Sequence, residues 1–531
     1  MNNSSIKTRK KATSVSSAAF LLIGAALFGQ ILGFLRTKLV NANFPLTGPN
    51  STDAYFAAFN IPDLFFFTLS AGALGVAFIP VLTDRLSKGN HKAMWELSNS
   101  LLNFLSGIML IVAVIILVFA RTLISHVVAP HLPPAEINTA TAIMRLLAFN
   151  PLLFTLSGIL TSMQQTMGRF FFYAIAPIFY NLSIIASIYL FRHNVGLVGL
   201  GIGALVGAVI QLIVVLFGLF KTNFVWKPKI IWRSSDFKKV MKNLPPRSLD
   251  QGIDQVEEIV ETHIASGLGA GAISNYSNAY ILSTAPILLI GTSIATAAFP
   301  RLNKRLAQNR PDLFRRDFQQ ILRTMIWVSA PVSVVAYFCR GYLARLIYTT
   351  GDSQISVIFG FLVFAIFARI LYTIISRWFY SHKDTRTPLI VSIFAIGINI
   401  ILAVYLAQPT QYGVAGLAIA QSIVASLEVL TLSVIMVIKD RKIFNAEFFN
   451  AVARIISVTG FSVIAGYIMI TIYPLNIADK GVITLGGKLV FITSVTFLVH
   501  IIMSSFFDLE EVKPFISKVY KIILKPIKLD F

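Results

Sequence analysis

Fourteen apolar runs follow one another along nearly the whole of this chain, and they leave little room for any fold but one. They lie at about 17–40, 53–84, 94–120, 137–165, 170–191, 196–220, 238–267, 273–300, 318–339, 354–380, 387–407, 412–438, 450–473 and 484–506. A helix needs roughly 20 apolar residues to cross the hydrocarbon core of a bilayer, and each run is long enough. A membrane β-barrel would instead alternate apolar and polar residues over short segments, a pattern absent here. The expected fold class is therefore an all-α polytopic membrane protein with about 14 transmembrane helices.

Charge placement tests the count. Only 13% of the residues are charged, against about 25% in a soluble domain, yet the formal net charge is +22. The cations sit in alternate short loops. With the N-terminus in the cytoplasm, the inside loops hold Arg85, Lys88 and Lys92, then Arg169, then six lysines and arginines between Lys221 and Lys239. Further along they hold the Arg301–Arg316 group, Lys383 and Arg386, and Lys439, Arg441 and Lys442. The outside loops hold little. That is the positive-inside rule, so the charge reflects topology and does not point to nucleic acid. Both termini are expected in the cytoplasm. The first run is too long for a cleaved signal peptide. The single cysteine, Cys339, excludes an internal disulfide, and neither a Cys/His cluster nor a phosphate-binding GxxxxGK[ST] loop occurs.

The chain divides by pattern. Residues 1–220 read as one six-helix lobe, 221–237 as a basic interfacial linker with Trp226 and Trp232, and 238–440 as a second six-helix lobe. Residues 441–506 hold two extra transmembrane helices. Residues 507–531 form a basic amphipathic tail suited to anionic lipid. A repeat supports the lobes. GRFFFYAIAPIFYNLSII leads into the glycine-rich VGLVGLGIGALVGA, and about 215 residues later FYSHKDTRTPLIVSIFAIGINIIL leads into YGVAGLAIAQSIVASL. Two alike halves suggest a transporter that rocks one half against the other.

Charge inside the runs marks candidate sites, because an acid or arginine at a helix centre costs roughly 2.5–3.5 kcal/mol on insertion scales. Asp250, Asp254, Glu257 and Glu261 recur at spacings that put them on one helical face. Arg145 and Arg369 lie deep in their runs, and Glu428 lies in the twelfth. Arginine suits a phosphate-bearing substrate through its bidentate fork. The carboxylates suit a coupling cation (Na+ or H+), with Asp254 nearest mid-span, or serve to neutralise the arginines. A membrane enzyme would need clustered His/Asp chemistry, and the seven histidines are scattered.

Five stretches resemble the MurJ/MviN family of lipid II flippases. They are GQILGFLRTKLV with STDAYFAAFNIPDLFFFTLSAGALGVAFIPVL, GRFFFYAIAPIFYNLSII, ASGLGAGAIS at Ala265–Ser274, IATAAFPRL and FYSHKDTRTP. The resemblance covers roughly residues 17–440. It implies the fold of the multidrug/oligosaccharidyl-lipid/polysaccharide exporters, two six-helix lobes, plus two C-terminal helices that form a lipid-facing groove. It implies a monomer in the bacterial plasma membrane that moves an undecaprenyl-pyrophosphate-linked peptidoglycan precursor to the outer leaflet by alternating access, without enzyme chemistry or a cofactor. Arg36 and Asp53 match the family's pattern and are implied substrate contacts. An acid of the seventh span, Asp250 or Asp254, with Asn399 is an implied cation site. Gln30, Phe66 and Ile281 stand where the family has arginines. That departure leaves open a related exporter of other lipid-linked oligosaccharides, or a cation-coupled antiporter of the same superfamily.

Overall fold

A computed structural model describes the backbone of residues 15–68, 77–348, 352–479, 481–514 and 516–517. Within these, the side chains of 15–20, 23, 243, 245–251, 352 and 482 lie outside the description. Helices account for the fold, and no strand occurs among the described residues. The contacts divide the chain into two compact units. The first comprises 1–43, 58–126 and 134–256; the second comprises 44–57, 127–133 and 257–531.

The helices of the first part of the chain are α1 (Val15–Asn43), α2 (Thr52–Phe66), α3 (Ile79–Ser87), α4 (His91–Thr122), α5 (Pro134–Leu147), α6 (Asn150–Thr166), α7 (Phe171–Phe191) and α8 (Val198–Phe217). Then come α9 (Ser235–Ser266), α10 (Ala272–Pro286), α11 (Ser293–Ala307), α12 (Pro311–Phe338), α13 (Arg340–Ile347) and α14 (Asp352–Ser381). The last are α15 (Arg386–Leu406), α16 (Val414–Lys439), α17 (Ala446–Ile472) and α18 (Gly481–Phe506). Eleven helical segments among the described residues are long and apolar enough to cross a membrane. Three of the fourteen expected runs are not among them. The run at 17–40 begins in residues whose side chains lie outside the description, and that at 53–84 includes the undescribed residues 69–76. The run at 238–267 became α9, in which lysines, an arginine and acids interrupt the apolar residues all along the helix.

The sequence repeat has a packing counterpart. In the first unit the turn between α7 and α8 uses Gly196 at φ 67°, and in the second the turn between α15 and α16 uses Gly413 at φ 54°. Three residues on, a glycine lets the paired helices touch. A Cβ on Gly199 would lie 2.2 Å from Cβ of Phe191, and one on Gly416 would lie 2.2 Å from the Leu406 carbonyl oxygen. Further along α8, Gly203 leaves room for Ser187, and Ser183 Oγ donates to the Gly203 carbonyl at 2.8 Å.

The basic linker is pinned, in the first unit, to one face of α4. Asn99 donates to the Val225 carbonyl (3.0 Å) and accepts from the Lys227 amide (2.9 Å). Asn103 donates to the Lys227 carbonyl (2.6 Å) and accepts from Trp226 Nε1 (3.1 Å), while Ser100 Oγ accepts from the Ile231 amide (3.0 Å). Extended backbone without a ladder must find partners elsewhere, and the polar residues at 99, 100 and 103 supply them. Both Trp226 and Trp232 keep more than half their surface exposed, as interfacial anchors do.

At the far end of the second unit, Leu509 and Val512 fold back against Trp327, Ile455 and Val458. Arg323 on α12 is buried there. Its Nε donates to Glu511 at 2.5 Å, with Glu510 at 3.5 Å. Of the expected tail, residue 515 and residues 518–531 lie outside the described residues.

Candidate functional site

Two buried polar constellations stand in the second unit. The first is built on Asp53, which is 1% exposed. Helix α10 starts at Gly271, whose φ of 81° provides the turn but whose missing side chain cannot cap the free amides. Asp53, 218 residues earlier, supplies the cap. Its Oδ2 accepts from the Gly271 amide (2.7 Å), and its Oδ1 from the Ser274 amide (2.7 Å) and hydroxyl (2.5 Å). Thr52 Oγ1 accepts from the same hydroxyl at 2.8 Å. A carboxylate at a helix N-terminus complements the partial positive charge of the unpaired amides. The Asp53 carboxylate is thus engaged by the fold itself.

The second constellation gathers Glu257 and Glu261 of α9, Arg369 of α14, Asn399 of α15, and Gln421 and Glu428 of α16. Glu257, Glu261, Asn399, Gln421 and Glu428 are each 5% exposed or less. Asn399 Nδ2 donates to Glu257 (2.6 Å) and to Glu261 (3.3 Å). Arg369 lies 3.9 Å from Glu257 and 3.4 Å from Glu428, and Ser392 Oγ donates to Glu428 at 2.6 Å. With its amide turned to satisfy both neighbours, Gln421 donates to Glu257 (3.0 Å) and accepts from Arg369 (3.3 Å). Among the described residues, the cluster thus holds three carboxylates and one guanidinium. A buried carboxylate needs a charge partner, hydrogen bonds or a proton. Asn399 Oδ1 has no hydrogen-bond partner among the described residues, and the Tyr276 hydroxyl faces Glu261.

The remaining sequence-derived residues are placed as follows. Asp254 is exposed, and the side chain of Asp250 lies outside the description. Arg36 is half-buried on α1. Arg145 is exposed in the last turn of α5, where it suits the helix C-terminus, although its depth in the run had suggested an interior position. Neither arginine makes an ion pair among the described residues. Of the three positions lacking an expected arginine, Phe66 packs at a tilt against Phe154, with 5.1 Å between ring centres, and Gln30 and Ile281 are half-buried. Sequence reading noted Glu428 without assigning it to the cluster, and it missed Gln421, Ser392 and Tyr276. Their signal was a neutral polar residue within an apolar run, too common to single out.

Three comparisons bear on identity. A family profile described as "Lipid II flippase MurJ" matches residues 48–478. A probable lipid II flippase MurJ of Buchnera aphidicola is 28% identical over 417 residues, covering 77% of this chain and 81% of its own. The lipid II flippase MurJ of Burkholderia cenocepacia is 25% identical over 430 residues, covering 78% and 82%. Among solved structures, a lipid II flippase MurJ in an inward closed conformation superposes with TM-score 0.75 at 23% identity, covering 92% of this chain and 98% of that one. An inward-facing multidrug transporter of the MATE family, from the MOP superfamily, superposes with TM-score 0.66 at 14% identity over 81% and 95%. At these identities the superpositions speak for a shared fold, while the profile spans most of the sequence: the chain belongs to the MurJ family of lipid II flippases.

Proposed function

We propose that this protein moves lipid II, a peptidoglycan precursor carried on undecaprenyl pyrophosphate, from the inner to the outer leaflet of the bacterial plasma membrane. The observation that carries the reading is the family match over residues 48–478. It acts as a transporter, by alternating access, with both termini in the cytoplasm. Arg36 and Arg145 contact the pyrophosphate, since each presents a guanidinium uncommitted to any acid among the described residues, and that fork matches phosphate oxygens. Arg369 is a counter-charge within the acidic cluster, paired with Glu257 and Glu428.

The cluster couples transport to a cation, Na+ or H+. Glu257, Glu261 and the Oδ1 of Asn399 form the acceptor set, while Asp254 is exposed. Asp53 holds α10 in place. In cells depleted of this protein, lipid II should accumulate in the inner leaflet, and re-expression should restore its access to an external probe. Unchanged lipid II distribution on depletion would refute the assignment. A second reading, export of other lipid-linked oligosaccharides, is favoured by Gln30, Phe66 and Ile281 standing where arginines are expected. It predicts that a different lipid-linked sugar accumulates on depletion.

For coupling, Glu257→Gln should preserve folding and shift the sodium or pH dependence of transport. If ion dependence is unchanged while Glu257→Gln loses thermal stability that Arg369→Gln restores, the cluster is a structural charge network.

A further inference from the structure

In the first unit, a cleft of about 630 Å³ opens where three elements meet: the start of α1, the turn between α6 and α7, and the end of α8. That volume falls within the roughly 300–1,000 Å³ range of small-molecule sites. Its walls are aromatic. Phe171, Phe217 and Phe220 are 53%, 58% and 69% exposed, so their faces are not consumed by packing. Its mouth carries two cations, Arg169 and Lys221, and no acid lines it among the described residues.

Arg169 is held in place. Arg169 Nη1 donates to the carbonyls of Gly218 (3.1 Å) and Phe220 (2.7 Å), at the end of α8. This fixes the guanidinium at the mouth while leaving Nε and Nη2 without a partner among the described residues. Lys221 has φ 59°, a backbone region that favours glycine. A lysine there departs from local preference, and departures of that kind concentrate at functional positions. Its ammonium lies 5.9 Å from the centre of the Phe220 ring, over the aromatic wall.

We propose that this cleft is a binding site for an anionic glycerophospholipid of the cytoplasmic leaflet, with the phosphate between Arg169 and Lys221 and an acyl chain along the phenylalanines. Two cations without a neighbouring acid among the described residues favour a headgroup of net negative charge over a zwitterion, and basic pockets between membrane helices on this side recognise such lipids. The leaflet follows from the charge bias that puts Arg169 and Lys221 in inside loops. None of its lining residues is a proposed substrate contact or a member of the acidic cluster.

The test is retention of added dioleoyl-phosphatidylglycerol by the purified, delipidated full-length protein in detergent, read by native mass spectrometry against dioleoyl-phosphatidylcholine. Lys221→Gly removes the ammonium and suits the backbone, so its melting temperature should equal or exceed that of the parent. Its phosphatidylglycerol retention should fall about fivefold, the loss expected for one basic contact near a membrane surface. Lys383 also has positive φ, at 61°, and lies in another inside loop, so Lys383→Gly is the matched control and should retain phosphatidylglycerol fully. Equal retention of the two lipids, an equal loss in Lys383→Gly, or displacement of phosphatidylglycerol by equimolar undecaprenyl phosphate would each overturn the proposal.

Discussion

The strongest test of the second unit's architecture is Asp53→Asn. The substitution preserves shape but replaces one carboxylate oxygen with an NH2 group. Both oxygens accept backbone amides, from Gly271 and Ser274, so either amide orientation sets a donor against a donor. One buried amide is left unsatisfied, which costs about 1–3 kcal/mol. Loss of the negative charge at the helix N-terminus adds about 1 kcal/mol, toward the upper range for a buried cap. The sum is about 2–4 kcal/mol, which for a chain of this size lowers the melting temperature by roughly 2–4 °C. The assay is thermal unfolding of purified protein in detergent, combined with transport normalised to the amount of protein in the membrane. Ser274→Ala removes a hydroxyl donor to the same carboxylate, so its cost should be smaller in the Asp53→Asn background than alone. An Asp53→Asn protein with the parent's melting temperature and no transport would refute the cap and make Asp53 a substrate contact.

Three further outcomes are expected. Arg36→Lys should restore little of the transport lost in Arg36→Ala, because a point charge does not reproduce the bidentate fork; full transport in Arg36→Ala protein that reaches the membrane would reduce the residue to an interfacial anchor. Gly416→Ala should destabilise by about 3 kcal/mol, since the new Cβ meets the Leu406 carbonyl, a backbone atom that cannot rotate away; an unchanged melting temperature would mean that the α15–α16 contact yields readily. In the loop before α15, burial tends to raise the Asp384 pKa, but hydrogen bonds from the Lys439 ammonium, the Thr387 hydroxyl and the Thr387 amide outweigh it and hold the carboxyl at about 2. The folded value is below the unfolded one, near 3.8, so the pair's contribution is complete above that value and is lost as pH falls toward about 2. Solvent screening limits it to on the order of 1 kcal/mol. Asp384→Asn should therefore lower stability at pH 6 and match the parent near pH 2, a convergence that thermal scans across pH would detect.

Much of the fold was legible because membrane helices announce themselves locally: length, apolarity and the glycines of the two related turns are all near-neighbour properties. The sites were less so. The spacing of Asp250, Asp254, Glu257 and Glu261 defines a helical face, but it cannot say how much of that face another helix covers. In the structure Glu257 and Glu261 are buried against Asn399, and Asp254 is exposed. Asp53 was visible only as a match to a pattern. Its partners are more than 200 residues away, and no local periodicity carries that pairing. Gly271 was the available hint, a helix start with no capping side chain of its own.

The pairing of Asp53 with α10 also sets a clock on biogenesis. Chains are made at roughly 5–20 residues per second, so the 218 residues between Asp53 and Gly271 take about 10–40 s to synthesise. For that interval the acid has no partner, although the helix it opens is already long enough to begin entering the bilayer. Residues 44–57 belong by contact to the second unit. A C-terminal fragment starting at the linker would therefore lack its own cap, and the unit closes only when an early segment, held in waiting, meets a late one.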